Sequence, residues 1–201
     1  MALRDELLGT AASAPVGYTL LVPPDWGRFV ADESGRDQLI GLMRSRFLEV
    51  HRPDLFAQAR AAVHRQWEQL RGRGAIEVYL PIVPAEGAPP MSIVTVPWLA
   101  QGEFADDVSR RAGGATVETL DAGDGGSMYR WQSDREGRAE TEGVFSREIC
   151  YVRPFPGSGP RRGILVMASI VHPGIDAAGP ALDGFSALAD AVVSTLVWRY
   201  R

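Results

Sequence analysis

The chain has 201 residues, of which 45% are hydrophobic and 23% are charged, and its formal net charge is −4. These values are typical of one globular domain with a sizeable core, and the acidic balance argues against general nucleic-acid binding. All 21 basic residues are Arg, which excludes chemistry that depends on lysine, such as a Walker phosphate loop or a Schiff base.

The first predicted elements are a short strand and two helices. Residues 18–22 have the pattern of a strand that is ended by two prolines, and Trp26 is expected to cap the end of the sheet. Helical periodicity follows over residues 37–49 and 53–72. Pro53 suits the first turn of the second helix, and the glycines at 72 and 74 are expected to end that helix.

Beyond residue 75 the hydrophobic period changes to two, which predicts antiparallel strands joined by hairpins. The loop at 84–90 is rich in Pro and Gly and opens the first hairpin, and a short helix over 103–111 separates it from the second. The predicted strands cover residues 76–82, 91–98, 116–120, 127–132, 145–155 and 161–171.

The strand at 161–171 organises the predicted sheet, because Val166 and Ile170 lie on one face while Leu165 and Met167 lie on the other. A strand that is apolar on both faces must be covered on both sides. A last helix over 183–198 can cover one face and the helices at 37–71 the other. The predicted fold is therefore α+β, a largely antiparallel six- or seven-stranded sheet with helices on both faces.

Residues 1–16 are predicted to be a loosely ordered leader, which leaves residues 17–201 as a single domain. The charges at 4–6 interrupt any signal-peptide core, and no apolar run is long enough to span a membrane. Cys150 is the one cysteine, so an intrachain disulfide is excluded, and its apolar strand context predicts a buried, inert thiol. We therefore expect a cytoplasmic protein.

No catalytic, cofactor-binding or metal-binding set is expected. His64 and Glu68 lie four residues apart on one helix face, but a metal site needs a third ligand that no motif supplies. The glycine-rich segments at 123–126 and 157–159 join strand to strand, so they are predicted turns and not phosphate loops. His172, near the end of the central strand, could act as a base beside a serine or an acid, which keeps a hydrolase as an alternative.

The order of a first strand, a Pro-Pro-Asp-Trp segment, a strand hairpin, an antiparallel meander and a C-terminal helix resembles the Mog1/PsbP-type α/β/α sandwich. The residues that carry this resemblance are 18–26, 75–98 and 144–198. The segment 74–80 also resembles a group of uncharacterised actinobacterial proteins. The early helical pair departs from the Mog1/PsbP pattern. The resemblance implies a non-enzymatic protein-binding module.

The sequence favours an adaptor or chaperone-like module that docks another protein or forms a homodimer. Charge is segregated, because residues 36–73 hold eight Arg against four acids while residues 103–142 hold ten acids against five Arg. The expected partner contacts are Trp26, Trp98, Tyr129, Trp131, Arg60 and Arg65. The alternatives are a small-molecule or lipid carrier with a pocket between the sheet and the helices, and the hydrolase that uses His172.

Overall fold

The computed structural model describes residues 15–49, 51–83, 87–124, 126–137, 143–157 and 161–200. The predicted leader at 1–16 lies outside the described residues except for its last two. The strands are β1 (Gly17–Thr19), β2 (Trp26–Val30), β3 (Glu77–Pro81), β4 (Met91–Leu99), β5 (Glu118–Asp121), β6 (Ser127–Glu136), β7 (Phe145–Pro154), β8 (Arg162–His172) and β9 (Val197–Arg199). The helices are α1 (Glu33–Glu49), α2 (Pro53–Gly72), α3 (Phe104–Ala112) and α4 (Ile175–Ser194).

Seven of the strands form one antiparallel sheet in the order β2-β3-β4-β8-β7-β6-β5. The strand β8 is its central member and pairs with β4 on one side and with β7 on the other. The α+β fold and the central position of this strand were both predicted. The two-sided apolar pattern identified it because only a strand with covered neighbours can bury both faces.

Helices cover both faces of the sheet. On one face, α4 packs Leu182 and Val193 against the buried side chains of Ile93, Ile149 and Val166. On the opposite face, Trp67 of α2 packs over Phe29, Val78 and Val94, and α3 lies over the β6–β7 end of the sheet. Burial of this much apolar surface on two sides supplies the main driving force for folding.

The helix α1 begins four residues earlier than predicted because its start is capped. The Asp32 carboxylate accepts a hydrogen bond of 2.9 Å from the backbone N–H of Gly35, as an N-cap residue does. Gly35 also passes so close to β2 that an added Cβ would lie 1.9 Å from the carbonyl oxygen of Val30. This close contact fixes the helix against the edge of the sheet.

The two ends of the described chain form a separate small sheet, which the sequence did not predict. The strand β1 pairs with β9, with Tyr18 opposite Trp198. The predicted final helix over 183–198 instead begins at Ile175 and ends at Ser194, and residues 197–199 form β9. The predicted strand at 18–22 is shorter than expected, and β2 at 26–30 was not predicted at all.

Candidate functional site

The expected partner contacts fall into three separate regions of the structure. Trp98 and Trp131 are buried beneath α3, with 2% and 7% of their surface exposed. Their rings contact edge to face at 6.4 Å, and the Arg111 guanidinium lies 4.1 Å above the Trp98 ring. Tyr129 is half-buried and stacks on Phe104. These three aromatic residues belong to the core under α3.

The remaining three expected contacts lie elsewhere. Arg60 and Arg65 are exposed on α2. Trp26 is buried, with 8% of its surface exposed, and forms part of a pocket at one end of the sheet. The structure therefore does not bring the six residues together: Trp26 lines a pocket, while Arg60 and Arg65 lie on the exposed side of α2.

The Trp26 pocket is a cavity of about 490 Å³ between the end of the sheet and α4. Trp26 and Met91 form its buried floor. One wall is made by Phe185 and Leu188, which lie one turn apart on α4, and the other by segments 80–83 and 88–90. Asp25 is the only charged residue among the described lining residues.

Backbone hydrogen bonds hold the walls of the Trp26 pocket in place. The N–H of Ile82 donates to the carbonyl of Asp25 at 2.7 Å, and that of Val171 donates to the carbonyl of Pro90 at 2.9 Å. Four prolines line the pocket, at positions 23, 81, 89 and 90, and a proline ring fixes its own backbone φ angle. These hydrogen bonds and proline rings restrict the backbone of the described parts of the walls.

A second cavity of about 440 Å³ shares Pro89 and Pro90 with the Trp26 pocket and is lined by His172. The imidazole is 2% exposed, stacks on Phe145 at 6.0 Å, and finds no hydrogen-bond partner among the described residues for either ring nitrogen. Within that part of the chain, no serine or acid lies within hydrogen-bond distance of either ring nitrogen. The geometry thus gives the hydrolase alternative no support, and His172 is the last residue of β8.

A buried carboxylate joins the small sheet to the main sheet. Glu77 is 6% exposed and accepts hydrogen bonds from Tyr18 Oη at 2.6 Å, from Tyr79 Oη, and from the Arg28 guanidinium. Tyr18 Oη also lies 2.7 Å from Thr95 Oγ1. Glu77 and Tyr79 lie on the same side of β3, and the structure buries both against the α4 face.

The hydrogen bonds of this network control its ionisation. Burial alone would raise the pKa of Glu77, but the hydrogen bonds from Arg28, Tyr18 and Tyr79 outweigh it and hold the pKa below its usual value. Burial, together with the hydrogen bond to Glu77, raises the pKa of Tyr18 and of Tyr79. Glu77 is accordingly an anion and both tyrosines are neutral donors at neutral pH.

Among the described residues, no group of three or more His, Cys, Asp or Glu side chains is arranged to hold a metal ion. None of the helices in that part of the chain combines the length and the apolar character needed to cross a bilayer. Cys150 is buried in β7, and burial raises the pKa of its thiol to about 12.

No family model and no curated protein sequence matches the chain. Among solved structures, the chain is similar to LpqN, described as involved in cell envelope biogenesis of Mycobacterium tuberculosis. The superposition has a TM-score of 0.50 with 11% identity and covers 94% of this chain and 86% of LpqN. The Mog1/PsbP resemblance and the cytoplasmic location stay predictions. The comparison supports one conclusion, that the chain shares the general α+β architecture of LpqN.

Proposed function

We propose that this protein is a non-enzymatic carrier that binds a small apolar molecule in the Trp26 pocket. The observation that carries the proposal is a cavity of about 490 Å³ whose described lining is apolar except for Asp25. Small-molecule sites in proteins have volumes of roughly 300–1,000 Å³ and mostly apolar linings. The pocket also lies between the sheet and a helix, where the carrier alternative expects it.

The charge at the pocket narrows the class of ligand. Asp25 is exposed and belongs to the lining, and the described lining contains no Arg. An anionic head group would be repelled there, whereas a neutral or cationic polar end would be tolerated. We therefore propose a neutral or cationic apolar ligand over a fatty-acid anion.

Fluorescence titration with two environment-sensitive probes tests this proposal. The neutral probe N-phenyl-1-naphthylamine should bind saturably, and the anionic probe 1-anilinonaphthalene-8-sulfonate should bind more weakly. Leu188→Trp places a larger side chain in the pocket and should reduce the affinity for the neutral probe at least tenfold. Asp25→Asn should increase the affinity for the anionic probe several-fold, because it removes the repulsion between the carboxylate and the probe.

The matched control is Val197→Trp, because Val197 is 60% exposed on β9 and does not line the pocket. This variant adds the same indole to the surface and should leave both affinities unchanged. If Leu188→Trp and Val197→Trp bind the neutral probe equally well, the Trp26 pocket is not the binding site and the carrier proposal fails.

A further inference from the structure

The helix α1 carries more apolar surface than the rest of the described protein covers. Its only buried residue is Gly35, and two of its leucines, Leu42 and Leu48, are 41% and 57% exposed. A surface helix of a globular protein usually buries an apolar stripe against the core. The apolar residues of α1 that are half-buried or exposed are Leu39, Ile40, Leu42, Met43, Phe47 and Leu48.

Part of this surface faces an open groove between α1 and α2, which we call the hairpin groove. It has a volume of about 750 Å³, and its apolar lining includes Ile40, Phe47, Leu48 and Phe56. The rings of Phe47 and Phe56 lie 6.1 Å apart and hold the two helices together at this end. A groove between two helices is a shape that accepts an amphipathic helix through residues spaced three or four apart.

The rim of the hairpin groove is basic. Arg36, Arg44, Arg60 and His64 line it, with Asp37 as the only acid among the described lining residues. Asp37 already forms an ion pair of 2.8 Å with Arg36. Within the described part of the chain, Arg44 and Arg60 have no carboxylate within salt-bridge distance. Two guanidinium groups with no carboxylate partner among the described residues therefore line the groove together with apolar side chains.

We propose that the hairpin groove docks an acidic amphipathic helical segment of a partner protein. Apolar side chains of that segment cover Phe47, Leu48 and Phe56, and its carboxylates pair with Arg44 and Arg60. The length of α1, at about 1.5 Å per residue, gives space for roughly four or five turns of partner helix. This site is separate from the Trp26 pocket, so the two proposals stand or fall independently.

Charge decides between this occupant and a second copy of the chain. A symmetric dimer through the hairpin groove would place the same patch on both sides, which brings Arg44 and Arg60 against another set of arginines. Like charges across an interface disfavour association. A lipid surface suits a convex apolar helix face, whereas Phe47 and Phe56 line a concave groove between two helices.

The test is fluorescence anisotropy with a labelled synthetic peptide of about 18 residues that carries Leu at helical positions i, i+3 and i+7 and Glu between them. A peptide of the same composition in scrambled order is the control ligand. The amphipathic peptide should bind saturably and at least tenfold more tightly than the scrambled one. Its affinity should fall as the salt concentration is raised, because the rim charges are exposed.

Two exposed leucines on α1 give a matched pair of variants, because Leu48 lines the groove and Leu42 does not. Leu48→Glu should reduce peptide affinity at least tenfold, while Leu42→Glu should change it less than twofold. Arg60→Glu should likewise reduce peptide affinity at least tenfold, while Arg65→Glu should change it less than twofold, because Arg65 lies on α2 outside the groove. Circular dichroism melting of each variant separates loss of binding from loss of folding.

Three results would overturn the proposal. Equal effects of Leu42→Glu and Leu48→Glu would show that the groove is not the site. Light scattering that finds a dimer which Leu48→Glu dissociates would assign the groove to a second copy. The wild-type protein could also sediment with vesicles that contain phosphatidylglycerol. If Leu48→Glu and Arg60→Glu abolish that sedimentation and the peptide does not bind, the surface is assigned to lipid.

Discussion

Replacing Glu77 by Gln should destabilise the fold because the carboxylate connects three segments of the chain. It accepts hydrogen bonds from Tyr18 on β1, Arg28 on β2 and Tyr79 on β3. Gln has nearly the same shape, so packing around the side chain is kept. Only one of its two terminal atoms can accept a hydrogen bond, so the amide nitrogen faces either the Arg28 guanidinium, which can only donate, or the tyrosine hydroxyls, which must then rotate to accept.

The size of the effect follows from the burial of each partner. A hydrogen bond to a charged group contributes about 1.5–3 kcal/mol, and an unpaired buried donor costs about as much. Arg28 is 59% exposed at its side chain, so its ion pair is screened by solvent and adds at most about 1 kcal/mol. We expect a total loss of about 2–3 kcal/mol, which for a domain of this size lowers Tm by about 4–12 °C.

The loss should depend on pH in a defined direction. Hydrogen bonding holds the folded-state pKa of Glu77 below its usual value, so the carboxylate stabilises the fold above the unfolded-state pKa of about 4.3. That contribution is lost as pH falls through the lower, folded-state pKa. The stability difference between wild type and Glu77→Gln should be constant from about pH 6 to pH 8 and should shrink below about pH 4.

Urea denaturation at several pH values measures this difference directly. Tyr18→Phe is the companion variant, because it removes one of the donors and leaves the carboxylate in place. In a double-mutant cycle the two substitutions should be coupled by about 1 kcal/mol. An unchanged stability of Glu77→Gln at pH 7, or a difference that persists undiminished at pH 3, would show that the network does not act through the carboxylate charge.

Further predictions concern the packing of the core. Gly35→Ala should destabilise the protein by more than about 2 kcal/mol in chemical denaturation because its Cβ meets the Val30 backbone. Gly41→Ala, in the same helix with open space around it, should instead stabilise by about 0.5–1 kcal/mol. Val166→Asp should prevent folding, as judged by loss of a cooperative melt, since Val166 is 1% exposed and an unpaired buried charge costs about 3–5 kcal/mol. Cys150 should react with a thiol reagent at pH 8 roughly a thousandfold more slowly than a free thiol, because burial raises its pKa to about 12. A fast reaction in the native protein would contradict its placement in the core.

The elements that the sequence predicted well carry their signals locally. The bounds of α2 at Pro53 and Gly72 follow from a proline that suits a first helical turn and a glycine that ends one. The place of β8 follows from apolar residues on both of its faces. In contrast, β2 contains Gly27 and Arg28 and is defined by its pairing with β3, far along the chain. Strand propensity alone does not reveal such a segment.

The candidate sites were harder to predict because they depend on which elements meet. The aromatic residues Trp98 and Trp131 suggested a contact surface, but only the packing of α3 over them shows that they are core. Periodicity identified the strand that holds Glu77 without indicating that its polar side would be covered. Trp26 was predicted as a partner contact, and the pocket that it lines is completed by Phe185, which lies far along the sequence.

The order of the strands also has a consequence for folding kinetics. Among the described residues, the main sheet consists of two meanders, β2-β3-β4 and β5-β6-β7-β8, which pair with each other only along β4 and β8, from Met91 to Leu99. Most contacts within each meander are closer in sequence than the contacts between β4 and β8. Each meander can therefore begin to form by itself, whereas the β4–β8 pairing forms only after a long loop has closed. A cleavage between residues 100 and 103 would leave both meanders whole, and the two fragments should reassociate through β4 and β8 as a complementing pair.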